Sequence, residues 1–541
     1  YDDRVSTNEH DARARIMARL SVGDLTKRYN AAWSRKETFR DLYEQCYEYA
    51  LPQRNLYDGY YDGKVGGRKK GSTVFDSTAV HGVQRFANRI QSGLFPPDRK
   101  WMVLEPGTDI PEESRADVAD GLQKYTHKFF SLIRQTNFDL AMGEFLMDLC
   151  VGTGVMLVQA GDDLEPIRFQ SIPQFLVALE EGPNGNVENV YRRVRVAAEN
   201  INRIWEDAEL PEVLRRIVED EPHKPIDLQE STIRNGDGSF GYYICYKGEQ
   251  DRSDDAMLVY RELKSSPWIV SRFQKIAGEI YGRGPVVACL ADILTLNKAV
   301  ELLLKNASLG ISGMYTAVDD GVLNPQTIRV APGAIIPVAR NAGPAGPSLM
   351  PLPRAGDLQL SQIVLQDLRM NIKRTLLDDS LPPDNMSARS ATEIVERMRE
   401  LATNLGSAFG RLISETMVPL VRRSMSIMDD AGLITLPLKI NGLEVKVVPV
   451  SPLAQAQNMT EVQDVLQWIG ISSQLGPVGQ AMINYAAVSD FVADKLGVPL
   501  EVRTTQEERA EIEEQAMQFI QQQQAGMPMQ PPAAPTPEGV V

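Results

Sequence analysis

Apolar residues in the first part of the chain recur at the three- and four-residue steps of helices that bury one face. Phe39, Leu42, Tyr43, Cys46, Tyr47 and Ala50 form one such stripe, and Pro52, which has no amide hydrogen to continue a helix, ends it. Val80, Val83, Phe86, Ala87, Ile90 and Leu94 form a second, capped by Asp76 or Ser77 and closed by Pro96 and Pro97. Val118, Leu122, Tyr125, Phe129 and Leu132 predict a third over 114–134. From Gly152 the pattern changes to short β-branched and aromatic runs at 155–159, 175–179, 187–196, 242–246 and 257–263, which read as strands. Gly182, Pro183, Asn184 and Gly185 supply a hairpin turn, and a helix near 201–219 completes a mixed α/β part.

The pattern then lengthens. A helix over 286–308 carries Ile293, Leu296, Val300, Leu303 and Ala307 on one face, with Pro285 at its first position. A second over 357–377 carries Leu360, Ile363, Val364, Asp367, Met370 and Leu377, and a Gly- and Pro-rich β-like insert, 313–355, lies between them. Helices of this length rise about 30–35 Å, enough for a stalk with a small module at its tip. Pro382 and Pro383 break the chain before a third long helix over 390–429, which Pro419 should bend. Beyond it the pattern predicts a strand pair (436–440 and 443–448), helices over 459–469, 479–496 and 505–523, and a Gln- and Pro-rich tail, 521–541, too poor in apolar residues to order itself.

Composition narrows the class. Hydrophobic residues are 43% and charged residues 24%, as in a water-soluble globular protein, and 541 residues suffice for several cooperating units. No apolar run is long enough to span a membrane and no signal-peptide core opens the chain, so a cytoplasmic site of synthesis is expected; the missing initial Met suggests a few absent residues. Four cysteines and four histidines are scattered without ligand spacing, so neither disulfides nor a metal is expected. The net charge of -15 opposes any general grip on nucleic acid phosphates.

Enzymatic chemistry has no evident carrier, and no cofactor is expected. The run Gly66, Gly67, Arg68, Lys69, Lys70, Gly71, Ser72 lacks the Gly-Lys-Ser/Thr order that sets a lysine on phosphates, and reads as a basic surface loop. Gly282 and Gly284 precede a helix without a strand-glycine fingerprint, and read as a turn. The carboxylate pairs Asp378–Asp379 and Asp319–Asp320 read as loop solvation and helix-end features.

Several segments carry a family resemblance. They are Phe75-Asp-Ser-Thr78; Gly93-Leu-Phe-Pro-Pro97 with Lys100-Trp-Met-Val-Leu104; Pro267-Trp-Ile-Val270; Gly278-Glu-Ile-Tyr-Gly-Arg-Gly-Pro285 through Leu296-Asn297; Ala331-Pro-Gly-Ala334; Ser390-Ala-Thr-Glu393; and Leu405-Gly406, Gly410-Arg411-Leu412 and Glu415. In this order, from about Arg35 to about Glu501, the chain resembles the head-to-tail connector, or portal, proteins of short-tailed bacteriophages. The resemblance implies an α+β, predominantly helical portal fold and a dodecameric ring at the capsid vertex of the virion, assembled in the host cytoplasm. Double-stranded DNA would pass through the ring during packaging and ejection. Implied partners are a tail adaptor protein, the terminase motor, and the major capsid and scaffold proteins, with no membrane.

On that plan 1–285 is wing, 286–312 and 356–379 are stem helices, 313–355 is the clip, and 380–390 is a tunnel loop; 391–452 returns to the wing, 453–520 is crown, and 521–541 is the tail. Candidate DNA-channel residues are Leu381, Pro382, Pro383, Asp384, Asn385, Met386 and Arg389 of the loop, with Lys298, Lys305, Lys373 and Arg374 on the stem, each cation also readable as a solvated or salt-bridged helix face. The rival readings are a nucleotide-driven DNA-packaging or nuclease subunit, and a scaffold or capsid-lining protein without a channel.

Overall fold

The computed structural model describes residues 20–57, 71–107, 109–162, 165–248, 256–312, 315–317, 349–351, 358–378, 399–434, 445–474 and 483–496. It divides into two compact units, 1–456 and 457–541. The first opens with α1 (Val22–Glu37), whose first turn is capped by Ser21 accepting from the Asp24 amide, then α2 (Arg40–Ala50) and α3 (Thr78–Leu94). Strand β1 (Met102–Pro106), α4 (Glu112–Ile133) and α5 (Phe138–Val151) follow. The three stripes read in the sequence bury as expected around α2, α3 and α4. Helix α5 escaped that reading because it is apolar almost all round, and a helix enclosed on every side has no amphipathic period to betray it.

Antiparallel sheet comes next. Strands β2 (Thr153–Ala160), β3 (Ile167–Ser171), β4 (Val177–Glu181) and β5 (Val187–Ala197) are followed by two short helices, α6 (Ile201–Ile204) and α7 (Glu212–Asp220). Strands β6 (Pro225–Arg234), β7 (Phe240–Tyr246), β8 (Ala256–Leu263) and β9 (Trp268–Arg272) complete two sheets, ordered β3-β2-β9 and β4-β5-β6-β7-β8. The single helix expected over 201–219 is therefore two. Trp205 is extended between them, its indole N–H donating to the Tyr242 hydroxyl at 3.1 Å, and Pro211 caps the second. The hairpin at 182–185 forms as expected, with Gly185 at φ 78°. Strand β7 is buried throughout because both sheet faces are covered: Tyr242, Ile244 and Tyr246 pack toward α6 and α7, and Tyr243 and Cys245 toward α1.

The long helices follow α8 (Pro285–Ala288). They are α9 (Leu290–Ser312), the paired strands β10 (Tyr315–Ala317) and β11 (Leu349–Pro351), and α10 (Leu358–Thr375). Pro285 starts the first turn as expected, but a break at Cys289 separates α8 from α9. The expected helix over 390–429 is described from 399; Gly406, at φ 50°, interrupts it before α11 (Ser407–Arg411). A π-helical turn, Leu412–Met417, then leads without a break into α12 (Val418–Asp430), with Pro419 two residues beyond the turn, where the hydrogen-bond register already changes. Strand β12 (Val445–Pro449) pairs antiparallel with β1; residues 436–440, expected to pair with it, lie outside the described residues. Helix α13 (Pro452–Gln474) runs into the second unit, which also holds α14 (Tyr485–Leu496). The helix over 505–523 and the tail lie outside the described residues. Among the described residues, no helix is long and apolar enough to cross a membrane.

One main core joins these parts. Its densest region is aromatic: Trp101 meets Phe95, Phe129, Phe130 and Phe138 with ring centroids 5.1–6.0 Å apart. A second dense point is backbone against backbone. A Cβ on Gly284 would stand 2.1 Å from the Cys150 carbonyl oxygen, while the Gly284 amide donates to Val151 at 2.9 Å. Gly278, by contrast, has φ 84° and open space around it. Gly284→Ala should therefore destabilise the fold by about 2–4 kcal/mol and Gly278→Ala by only about 1 kcal/mol. Thermal unfolding of both variants in the same oligomeric state checks this, and equal losses would contradict the close-approach account.

Candidate functional site

The two long helices leave the core together, and the segments that carry the family resemblance hold their roots. On α9, Ile293, Leu296 and Val300 are buried, as are Leu365, Ile372 and Leu376 on or just beyond α10. Past Val300 the side chains of 301–308 are exposed or half-buried. Leu302 (54% exposed) and Leu304 (50%) on α9, with Ile363 (58%), Val364 and Met370 on α10, leave apolar surface uncovered in a single chain.

The chain from 73 to 78 ties both helices down. The Asn297 side chain of α9 accepts from the Phe75 amide at 2.7 Å and donates to the Thr73 carbonyl at 2.9 Å. Asp76 accepts from the Thr78 amide, capping α3, and from two nitrogens of Arg369 on α10 at 2.7 and 2.9 Å. Burial works to raise the Asp76 carboxyl pKa, but hydrogen bonds from Thr78 and Arg369 outweigh it and hold the group below its ordinary value. A single carboxylate thus fixes the start of α3 and the side of α10 together.

The lower end of α10 is fixed in the same way. Leu377 adopts φ 57°, and the Asp378 amide donates back to the Lys373 carbonyl at 2.7 Å, closing a left-handed helix stop usually made by glycine. Asp378 is buried, accepts from Arg85 of α3 at 3.1 Å, and its carbonyl accepts from Arg89. The reading of Asp378 as a solvated loop acid is corrected, while its helix-end role stands. The chain therefore enters segment 379–398 from a pinned point.

The glycine-rich segment is a joint as well. The Tyr43 hydroxyl donates to the Gly282 carbonyl at 2.9 Å, the Gly282 amide donates to Thr153, and Glu279 pairs with Arg283. Gly282 and Gly284 serve as a turn packed on α5 and β2, in agreement with the sequence. Nearby, Arg272 is only 1% exposed and bridges three elements: Glu415 in the π-helical turn at 2.7 Å, Glu181 on β4 at 3.3 Å, and the Gly185 carbonyl in the hairpin at 3.0 Å. Burial would raise the Glu181 carboxyl pKa, yet Lys275 and Arg272 hold it below its ordinary value. Arg272 was not singled out in the sequence; its only signal is its place two residues after Val270, in step with Trp268 and Val270 along a buried strand.

The cations read on these two helices differ in setting. Lys298 and Lys305 both pair with Glu301, at 2.9 and 2.5 Å, the salt-bridged alternative that the sequence left open. Lys373 and Arg374 stand exposed in the last turn of α10. Leu381, Pro382, Pro383, Asp384, Asn385, Met386 and Arg389 lie outside the described residues.

Comparison with known proteins completes the picture. Residues 22–503 match the family described as Bacteriophage head to tail connecting protein. The probable portal protein of Bordetella phage BPP-1 is 23% identical over 502 residues, covering 88% of each chain. The portal protein of Salmonella phage epsilon15 is 21% identical over 485 residues, covering 84% of each. With a match of this extent, and with its recurring segments serving as joints of one frame, the chain belongs to the bacteriophage head to tail connecting protein family, as a structural portal protein of the virion and not an enzyme.

Proposed function

We propose that twelve copies of this chain close into a ring around an axial channel through which double-stranded DNA is packaged and later ejected. In this reading α9 and α10 are the stem, 313–355 is the clip that meets tail adaptor and terminase motor, and 380–390 is the tunnel loop. Residues 1–285 and 391–452 form the wing and 453–520 the crown, and the major capsid and scaffold proteins are further partners of the ring. The observation that carries the reading is the uncovered apolar surface on α9 and α10 beyond Val300, from Leu302 and Leu304 to Ile363 and Val364. A head-to-tail neighbour that buries it on every copy gives a closed ring, because heterologous contacts that close generate cyclic symmetry.

Charge supports a sliding channel. At -15 per chain, twelve copies carry a formal charge on the order of -180, so the ring as a whole repels phosphate. Glu301 offsets Lys298 and Lys305, which moderates the cationic rings those two would form.

Three expectations follow from this arrangement. Ile363→Glu combined with Leu302→Glu should leave subunit folding nearly unchanged, within about 1 kcal/mol, because both side chains are already more than half exposed. Sedimentation should nevertheless show the variant failing to form closed rings, and unaltered rings would remove the proposed seam. Shortening 381–388 should preserve rings but impair retention of packaged DNA in assembled particles, with Arg389→Ala milder, whereas normal retention would take the loop out of the channel. Deleting 313–355 should give rings that no longer bind the tail adaptor, and retained binding would move the docking site elsewhere.

A further inference from the structure

The first unit contains a half-open cleft of about 510 Å³ between the strand layer that carries α6 and the C-terminal half of α12. Its apolar walls include Trp205, Leu263, Pro267 and Ile427. Its lining charges are mostly neutralised locally: Asp162 pairs with Arg168 at 2.6 Å, Asp430 with Lys264 at 2.7 Å, and Arg261 with Asp207.

Arg423 is the exception among the lining charges. It is 6% exposed, and its Nε donates to the Val158 carbonyl at 3.2 Å while one terminal nitrogen donates to the carbonyl and hydroxyl of Ser265. Every partner is uncharged. The other terminal nitrogen, Nη2, has no hydrogen-bond partner among the described residues, and no carboxylate there lies within ion-pair distance of the side chain. Burial lowers the Arg423 pKa to about 10, which still leaves a full cation at neutral pH. A buried guanidinium is ordinarily matched by an anion, since an unpaired charge in a low-dielectric setting is costly. Asp430, which lines the same cleft, acts on Arg423 through space but is paired with Lys264, and the cleft lies beside the guanidinium.

We infer that this cleft binds an amphipathic carboxylate, with the carboxylate on the free Nη2 of Arg423 and an apolar body against Trp205, Leu263 and Ile427. The size falls within the range of small-ligand sites, and a few charged groups set among apolar walls are their usual make-up. An aliphatic acid and the C-terminal residue of a peptide share this chemistry.

Calorimetric titration of the purified full chain tests the site. The probes are sodium octanoate and acetyl-Leu-Leu with a free carboxylate; 1-octanol and acetyl-Leu-Leu amide are their neutral controls. At least one carboxylate should saturate at one per chain and bind tenfold or more tighter than its control, and the tighter of the two identifies the source. Arg423→Met should abolish that tenfold preference. Ala431→Trp places a large ring at another lining position and should block binding of both probes, so a folding defect in Arg423→Met leaves the test intact. Binding that is absent for both carboxylates, equal for carboxylates and controls, or unchanged in Ala431→Trp overturns the assignment.

Discussion

Asp76 caps α3 and grips Arg369 on α10, while the adjoining backbone is held by Asn297 on α9. Two helices that run beyond the core leave part of their apolar surface uncovered in a single subunit. Their direction is set at the root. Arg369 is 42% exposed, so the ion pair alone contributes little, on the order of 1 kcal/mol or less. Its value is geometric: directional hydrogen bonds from three segments remote in sequence converge within a few residues, and apolar contacts alone would allow the helices to slide. The Asp378 contacts with Arg85 and Arg89 set the opposite end of α10 in the same manner, again on α3.

Arg272 extends this logic into the sheet layers. A fully buried guanidinium shared by Glu415, Glu181 and a hairpin carbonyl cannot lose one partner cheaply, because the remaining charge stays desolvated; removal of one member of such a pair costs about 3–5 kcal/mol. The π-helical turn at Leu412–Met417 brings Glu415 to that point, immediately after the break at Gly406. The helix that follows the proposed tunnel loop is thus interrupted where it is most firmly tied to the sheets.

Helices with one buried face were legible in the sequence because their period is visible, as at Phe86, Ile90 and Leu94. Elements covered on all sides were not: α5 has no polar stripe, and β7 shows an apolar run where a half-buried strand would alternate. Broken helices were read as continuous at 201–219 and 286–308, since a local break at Trp205 or Cys289 is decided by what those side chains meet across the fold. The recurring segments were recognisable as a set, yet their physical roles were hidden. Asn297 and Asp76 look like ordinary helix polar residues until the chain brings positions some 220 apart into hydrogen-bond range. Lys298 and Lys305 were visible as cations, but Glu301 between them, which offsets both, was overlooked despite its helical spacing.

We take the apolar surface left on α9 and α10 to be the seam of a closed ring around a channel. Electron cryomicroscopy of the purified full chain tests it most directly. The account predicts rings with an axial hole, the two helices lying at the channel wall, and Leu302 and Ile363 buried against the adjacent copy. Two-fold dimers, or rings in which these helices stand on the outer rim with both residues in solvent, would contradict it.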